Sequence, residues 1–299
     1  MILKFAINFL IIKFVKKNMK NFLVGIDFSK GSIKALEYAI MLNNYIDSKI
    51  AMLYVDKPIP TESIYATVTA NYRTELHQRF EQLMNEFKPK LNDVSRLEYK
   101  ITTGKVYEEL ANYAKKNDID YVFAGTHGIS GYEEMWIGSN ANRIVSTSPC
   151  PVFTIRQTYE VHDRIKSILL PIDSTAETTN KLPWAIEIAK YSNAEIHIFG
   201  AYITDLSTMK NKVDKNIVMI ENELEKENIK FKSFKKSITN YTSDLISYIE
   251  DNNIDLAIIM TEQENRNTNV LLGQYAMQMI NHCPVPVLSV HQDDKFNSK

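Results

Sequence analysis

Glycine and cysteine are both scarce in this chain of 299 residues, with nine and two copies respectively. Two cysteines, Cys150 and Cys283, each beside prolines, cannot build a disulfide framework or a four-thiolate metal site. They read as buried thiols of a reducing compartment. An excess of charge is also missing: 35 Lys and Arg stand against 36 Asp and Glu, and a net charge of −1 gives no field to hold a nucleic-acid backbone. The six histidines form no HxxxH or HExxH pair, which leaves a dedicated transition-metal site unsupported. There is no GxxxxGK followed by Ser or Thr, and no GxGxxG after a strand, so the two commonest phosphate loops are excluded.

A membrane-spanning run is lacking as well. The apolar start "MILKFAINFLIIKFVKK" contains Lys4 and Lys13, falls short of the roughly 20 apolar residues a span needs, and has no small-residue cleavage site. Met19, followed by "KNFLVGIDFS", makes a natural start for a folded domain. Residues 1–18 are therefore read as a non-native or poorly ordered extension, with a membrane-surface amphipathic anchor as the alternative.

What is present is ordinary globular composition, 44% hydrophobic and 24% charged, in a length that suits about two domains. An internal repeat supports that count. "FLVGID" at 22–27 is answered by "ILLPID" at 168–173, an offset of 146. "NDIDYVFAGTHG" at 117–128 is answered by "NNIDLAIIMTEQ" at 252–263, and "SPCPVFTI" at 148–155 by "CPVPVLSV" at 283–290, both at offset 135. The 11 residues lost in the second copy predict a shorter loop and helix after its second strand.

Short β-branched runs alternate with segments of helical period, the pattern of βαβ units and a parallel sheet. Strands are predicted at 21–26, 49–55, 96–102, 120–125 and 151–155, and again at 167–172, 195–201, 231–237, 255–260 and 286–290. The intervening helices of the first copy are predicted at 29–43, 72–87, 106–115 and 140–146. Each copy reads as a five-stranded doubly wound α/β domain with right-handed crossovers. The domains are 19–156 and 166–291, joined by a polar linker at 157–165 and followed by a tail at 292–299. In such sheets ligands bind beyond the carboxyl ends of the strands, where strand order reverses. Asp27, Val55 and Gly125 all fall at such ends.

Four of the nine glycines lie in "GTHGISGYEEMWIGSN", residues 125–140. This stretch joins the fourth strand to a helix starting near Gly138, so backbone N–H groups and a positive dipole end would face the crevice. Gly125 and Gly128 would let a phosphate reach the backbone. Ser139 and Asn140 would either cap that helix or donate to phosphate oxygens. Asp27 would either accept from an adenine amino group or ribose hydroxyl, or cap the helix starting near Lys30. His127 invites a general-base reading, but no serine or cysteine nucleophile accompanies it. Arg143, one turn into the helix, is the nearest cation and reads as solvated.

Residues 125–139 match G-x2-G-x9-G-S/T and, with "VGIDFSKGSIKALEYA" at 24–39 and "SPCPVFTIR" at 148–156, the chain resembles the universal stress protein family across both repeats, about residues 20–291. The resemblance implies two tandem Rossmann-like, adenine-nucleotide α-hydrolase-like domains. It implies that Asp27 and Val55 hold adenine and ribose, and that Gly125, Gly128, Gly138, Ser139 and Asn140 surround the phosphates of ATP, with Mg or Mn as an accompanying ion. The family's usual small apolar residue after the Gly-Ser is here Asn140. It also implies pairing of the last strands, between the two copies or between two chains of a homodimer.

The second copy departs from the motif: Gly125 becomes Met260, Gly128 becomes Gln263 and Ser139 becomes Gln274, while Gly138 keeps a counterpart in Gly273. Side chains are expected to fill its phosphate space. The reading is a cytoplasmic ATP-binding stress-response sensor with one nucleotide site, binding neither nucleic acid nor membrane. The alternatives are a slow ATPase and a ligand-free interaction module.

Overall fold

The computed structural model describes residues 19–56, 66–126, 139–261 and 272–294. The expectations for residues 1–18, for His127, Gly128, Gly131, Gly138 and Gln263, and for the end of the tail lie outside the described residues. No helix among the described residues is long and apolar enough to cross a membrane.

The first copy runs β1 (Lys20–Gly25), α1 (Lys30–Asn43), β2 (Ser48–Asp56), α2 (Ala66–Phe87), β3 (Leu97–Thr103), α3 (Val106–Lys116), β4 (Tyr121–Gly125), α4 (Ser139–Thr147) and β5 (Val152–Ile155). The second runs β6 (Ser167–Ile172), α5 (Leu182–Ser192), β7 (Glu195–Tyr202), α6 (Ser207–Lys226), β8 (Phe231–Ser237), α7 (Tyr241–Asp251), β9 (Leu256–Met260), α8 (Gln274–His282) and β10 (Val287–Val290). In β1, Phe22, Leu23 and Val24 are all fully buried, the signature of a parallel strand covered by helices on both faces. The expected shortening of the second copy falls mostly in its connections, because α2 has 22 residues and its counterpart α6 still has 20.

The two sheets are one. All ten strands form a continuous sheet in the order β3-β2-β1-β4-β5-β10-β9-β6-β7-β8. Pairing is parallel within each copy, and β5 meets β10 antiparallel in the middle, with Phe153 opposite Leu288. Two apolar edges thereby cover each other within one chain. Of the outer edges, β8 carries Lys232, Lys235 and Lys236, charges that discourage pairing with a further strand.

One face of the sheet carries a core continuous across both copies, from Phe22 and Phe80 to Ile198 and Leu224, while the opposite face carries two smaller cores under α3–α4 and α7–α8. The linker is more than a polar connector. Tyr159 and Ile165 are buried, and the Tyr159 ring meets Tyr38 edge-on at 6.2 Å. At the amino end of β1 and β4, Glu187 of α5 reaches across the copies, accepting from the Tyr121 hydroxyl at 2.5 Å and pairing with Lys20 Nζ at 2.9 Å. At the other end His291 Nε2 donates to the Val145 carbonyl at the end of α4, 2.5 Å away, while its Nδ1 faces Thr261 Oγ1 at 2.8 Å. Cys150 and Cys283 are buried, and burial pushes each thiol up to about 12, which leaves both protonated and unreactive.

Candidate functional site

The strand order of the first copy reverses between β1 and β4. The register that pairs Val24 with Phe123 and Gly25 with Leu53 sets Asp27 level with Val55, two residues beyond the end of β1, and next to the end of β4 at Gly125. Asp27, Val55 and Gly125 therefore share one crevice.

Local hydrogen bonding fixes Asp27. Its Oδ1 accepts the Ser29 N–H at 2.9 Å, and its own N–H donates to Ser32 Oγ at 3.3 Å. Ser29, not Asp27, caps α1, accepting the Ser32 N–H through its side chain. The capping alternative for Asp27 is thereby replaced by a turn, and among the described residues Oδ2 has no partner.

Gly125 has a structural reason to be glycine. A β carbon there would lie 2.7 Å from both the Gly31 carbonyl oxygen and the Ser32 nitrogen. The first turn of α1 sits directly on the end of β4, backbone to backbone, and any side chain would push it off. Close helix–strand packing thus accounts for this glycine, where the sequence suggested phosphate approach. Asn140 is exposed in the first turn of α4, and Ser139 is the first residue of that helix. The exposed Arg143 guanidinium stacks 5.5 Å from the Tyr107 ring centroid.

Sequence reasoning missed the wall beside Asp27. Phe28 adopts φ 62°, a left-handed conformation rare for a bulky residue and a mark of local strain. Its ring packs 4.9 Å from Phe80, and the Arg79 guanidinium lies 4.0 Å from its centroid. The Tyr54 and Tyr72 hydroxyls meet at 2.9 Å, and Tyr72 donates to Asp56 Oδ1 at 3.3 Å. Burial, first of all, raises the Tyr72 phenol well above its usual value. The alternation in β2, which sets Tyr54 and Asp56 opposite to Val55, was the available signal.

The second copy repeats the turn and changes its surroundings. Asp173 Oδ1 accepts from the Thr175 N–H at 2.8 Å and its hydroxyl at 2.6 Å, and the Asp173 N–H donates to Thr178 Oγ1 at 3.2 Å. A cavity remains next to it, with Gln263 outside the described residues. Gln274 is exposed, and Met260 lines a cavity of about 280 Å³. Among the described residues no group of three or more His, Cys, Asp or Glu is placed to hold a metal ion.

Two doubly wound parallel sheets fused through their last strands, each with its crevice at the reversal of strand order, define a tandem Rossmann-like α/β protein. The chain belongs to the universal stress protein family: the model of that family matches residues 18–156 and again 164–291. The universal stress protein YxiE of Bacillus subtilis is 28% identical over 143 residues, covering 45% of this chain and 97% of that protein. A universal stress protein of Synechocystis sp. is 21% identical over 294 residues, covering 91% of this chain and 99% of its own length. The crystal structure of a universal stress protein from Archaeoglobus fulgidus matches with a TM-score of 0.70 at 18% identity, covering 92% of this chain and 99% of that one, a likeness of fold.

Proposed function

We propose that the first copy binds an adenine nucleotide, with ATP as the preferred reading, and that occupancy of this one site is what the chain reports in a cytoplasmic stress response. The observation that carries the reading is the meeting of Asp27, Val55 and Gly125 at the reversal of strand order, beside an Asp27 oxygen with no partner among the described residues. Asp27 would accept from the adenine amino group or the ribose, and Val55 would pack against the base or sugar. The glycine loop and the start of α4, with Gly128, Gly138, Ser139 and Asn140, would surround the phosphates. Any Mg or Mn ion would arrive with the phosphates.

The chain acts as a binding protein more than a catalyst. Phosphate transfer needs a base or a cation aimed at the transferring group, and Arg143 is engaged with Tyr107. The proposal is tested by acid extraction of the purified protein and identification of released nucleotide by mass spectrometry. Adenine nucleotide at close to one per chain supports it. An extract without adenine nucleotide, from a protein that also fails to bind added ATP, contradicts it.

A further inference from the structure

The cavity of the second copy arises from paired replacements. Gly125, on which α1 packs, is answered by Met260, and Gly31 by Glu177. The helix that begins at Lys30 in the first copy is answered by α5, which begins only at Leu182 after a short 3-10 turn at Glu177–Thr179. The retreat of that helix leaves the space open. Ala35, buried in α1, is answered by Lys181, which is 2% exposed and lines the cavity.

A lysine buried where the sister copy has a methyl group is costly unless something supplies counter-charge. Lys181 Nζ donates to the Thr178 carbonyl at 2.5 Å and to Thr178 Oγ1 at 3.4 Å. Among the described residues no carboxylate oxygen lies within 4 Å of it, and an ammonium has three N–H donors, so one is left unused. Asp173, the acid that favours its charge, has Oδ1 committed to Thr175. Burial accordingly lowers the Lys181 ammonium to about 8. Tyr275 and Ala276, in the first turn of α8, line the same cavity and add the positive end of a helix to its field. Ile259, Met260 and Met279 form one apolar side of the wall, the Tyr241 and Tyr275 rings pack 4.9 Å apart, and Thr175, Thr261 and Gln292 add polar groups. Asp173 and Glu177, both half-buried, line the cavity as well.

We propose that this cavity binds a small monocarboxylate with an apolar body, its carboxylate on Lys181 Nζ and its body along Ile259, Met260 and Met279. The two carboxylates in the lining repel a polyanion such as a triphosphate and tolerate a single charge held on the buried ammonium. The inference stands apart from whatever the first copy binds.

The test follows the methyl signals of Met260 and Met279, assigned through Met260→Leu and Met279→Leu, in protein labelled with 13C-methyl methionine. The probes are 3-phenylpropanoate and the neutral 3-phenylpropan-1-ol. The acid is expected to shift both methyls saturably, with the alcohol binding at least about tenfold more weakly. Lys181→Met is expected to weaken the acid by about tenfold or more, and Lys181→Arg to keep the preference for acid over alcohol. Absence of a saturable shift up to about 20 mM acid, a range reaching affinities weaker than the millimolar benchmark, overturns the proposal. So does equal affinity for acid and alcohol, a comparison made on the unsubstituted chain. Wild-type affinity in a Lys181→Met protein with a native methyl spectrum overturns it as well.

Discussion

Gly31 and Gly125 face each other across the crevice of the first copy so closely that a β carbon on Gly125 would lie 2.7 Å from the Gly31 carbonyl oxygen. The neighbour is backbone, so it cannot swing away as a side chain would. Gly125→Ala is expected to lower stability by about 1–3 kcal/mol through overpacking. Gly25→Ala meets the flexible Leu110 side chain at 3.3 Å and the Phe123 carbonyl at an ordinary 3.9 Å, and should cost less than about 1 kcal/mol. Urea denaturation of the two variants checks this. Equal effects would mean that α1 can move off β4 freely.

Glu187 is expected to hold the two copies together. It serves Lys20 and the Tyr121 hydroxyl at once, and the side chains of Lys20 and Glu187 are each only 12% exposed. Burial and the Glu187 charge raise the Tyr121 phenol far above its usual value, so Tyr121 remains a donor at all working pH values. Glu187→Leu would leave the Lys20 ammonium to Asp120, 3.4 Å away, and take the acceptor from the buried Tyr121 hydroxyl, and a loss of about 1–3 kcal/mol is expected. A double-mutant cycle with Lys20→Met measures the coupling, and a coupling near zero would contradict the assignment.

The buried Lys181 makes a prediction with a definite sign. Below pH 8 its ammonium is protonated in the folded and unfolded states alike, and the folded state carries the whole desolvation cost. Between about 8 and the usual lysine value of 10.5 the folded state has shed the proton and the unfolded state has not, so the cost is relieved as pH rises. Lys181→Met should therefore stabilise the chain at pH 7, by about 1–3 kcal/mol, and the advantage should narrow from pH 8 to pH 10. Thermal melts of both proteins across that range decide it. An advantage that grew with pH would contradict the burial of the charge.

The strands were legible in the sequence because parallel strands buried on both faces must be continuous apolar runs, as "FLV" in β1 and "LAIIM" in β9 are. The pairing of the last strands was expected from the family resemblance, which left open one chain or two, and β5 meets β10 within one chain. The start of α2 was not legible: "ATVTAN" at 66–71 carries β-branched residues and no apolar period, yet α2 begins at Ala66, six residues ahead of the Tyr72 expected. Asp27 and Val55 could be placed because each lies at the carboxyl end of an apolar run, within two residues of a strand's end. Phe28 could not, since its φ of 62° and its contact with Arg79 belong to tertiary packing. The cavity beside Met260 was hidden for a similar reason. A bulky residue in place of glycine reads as filled space, and only the later start of α5 shows that space was made.

The asymmetry between the copies is the central claim, and titration calorimetry with ATP tests it most directly, on the wild-type chain and on Asp27→Ala and Asp173→Ala. Both aspartates hold the same turn, with Ser29 on one side and Thr175 on the other, so the two substitutions disturb equivalent backbone. The account predicts close to one site per chain, an affinity about tenfold or more weaker in Asp27→Ala, and no change in Asp173→Ala. Two equivalent sites, or a loss of affinity in Asp173→Ala but not in Asp27→Ala, would contradict it.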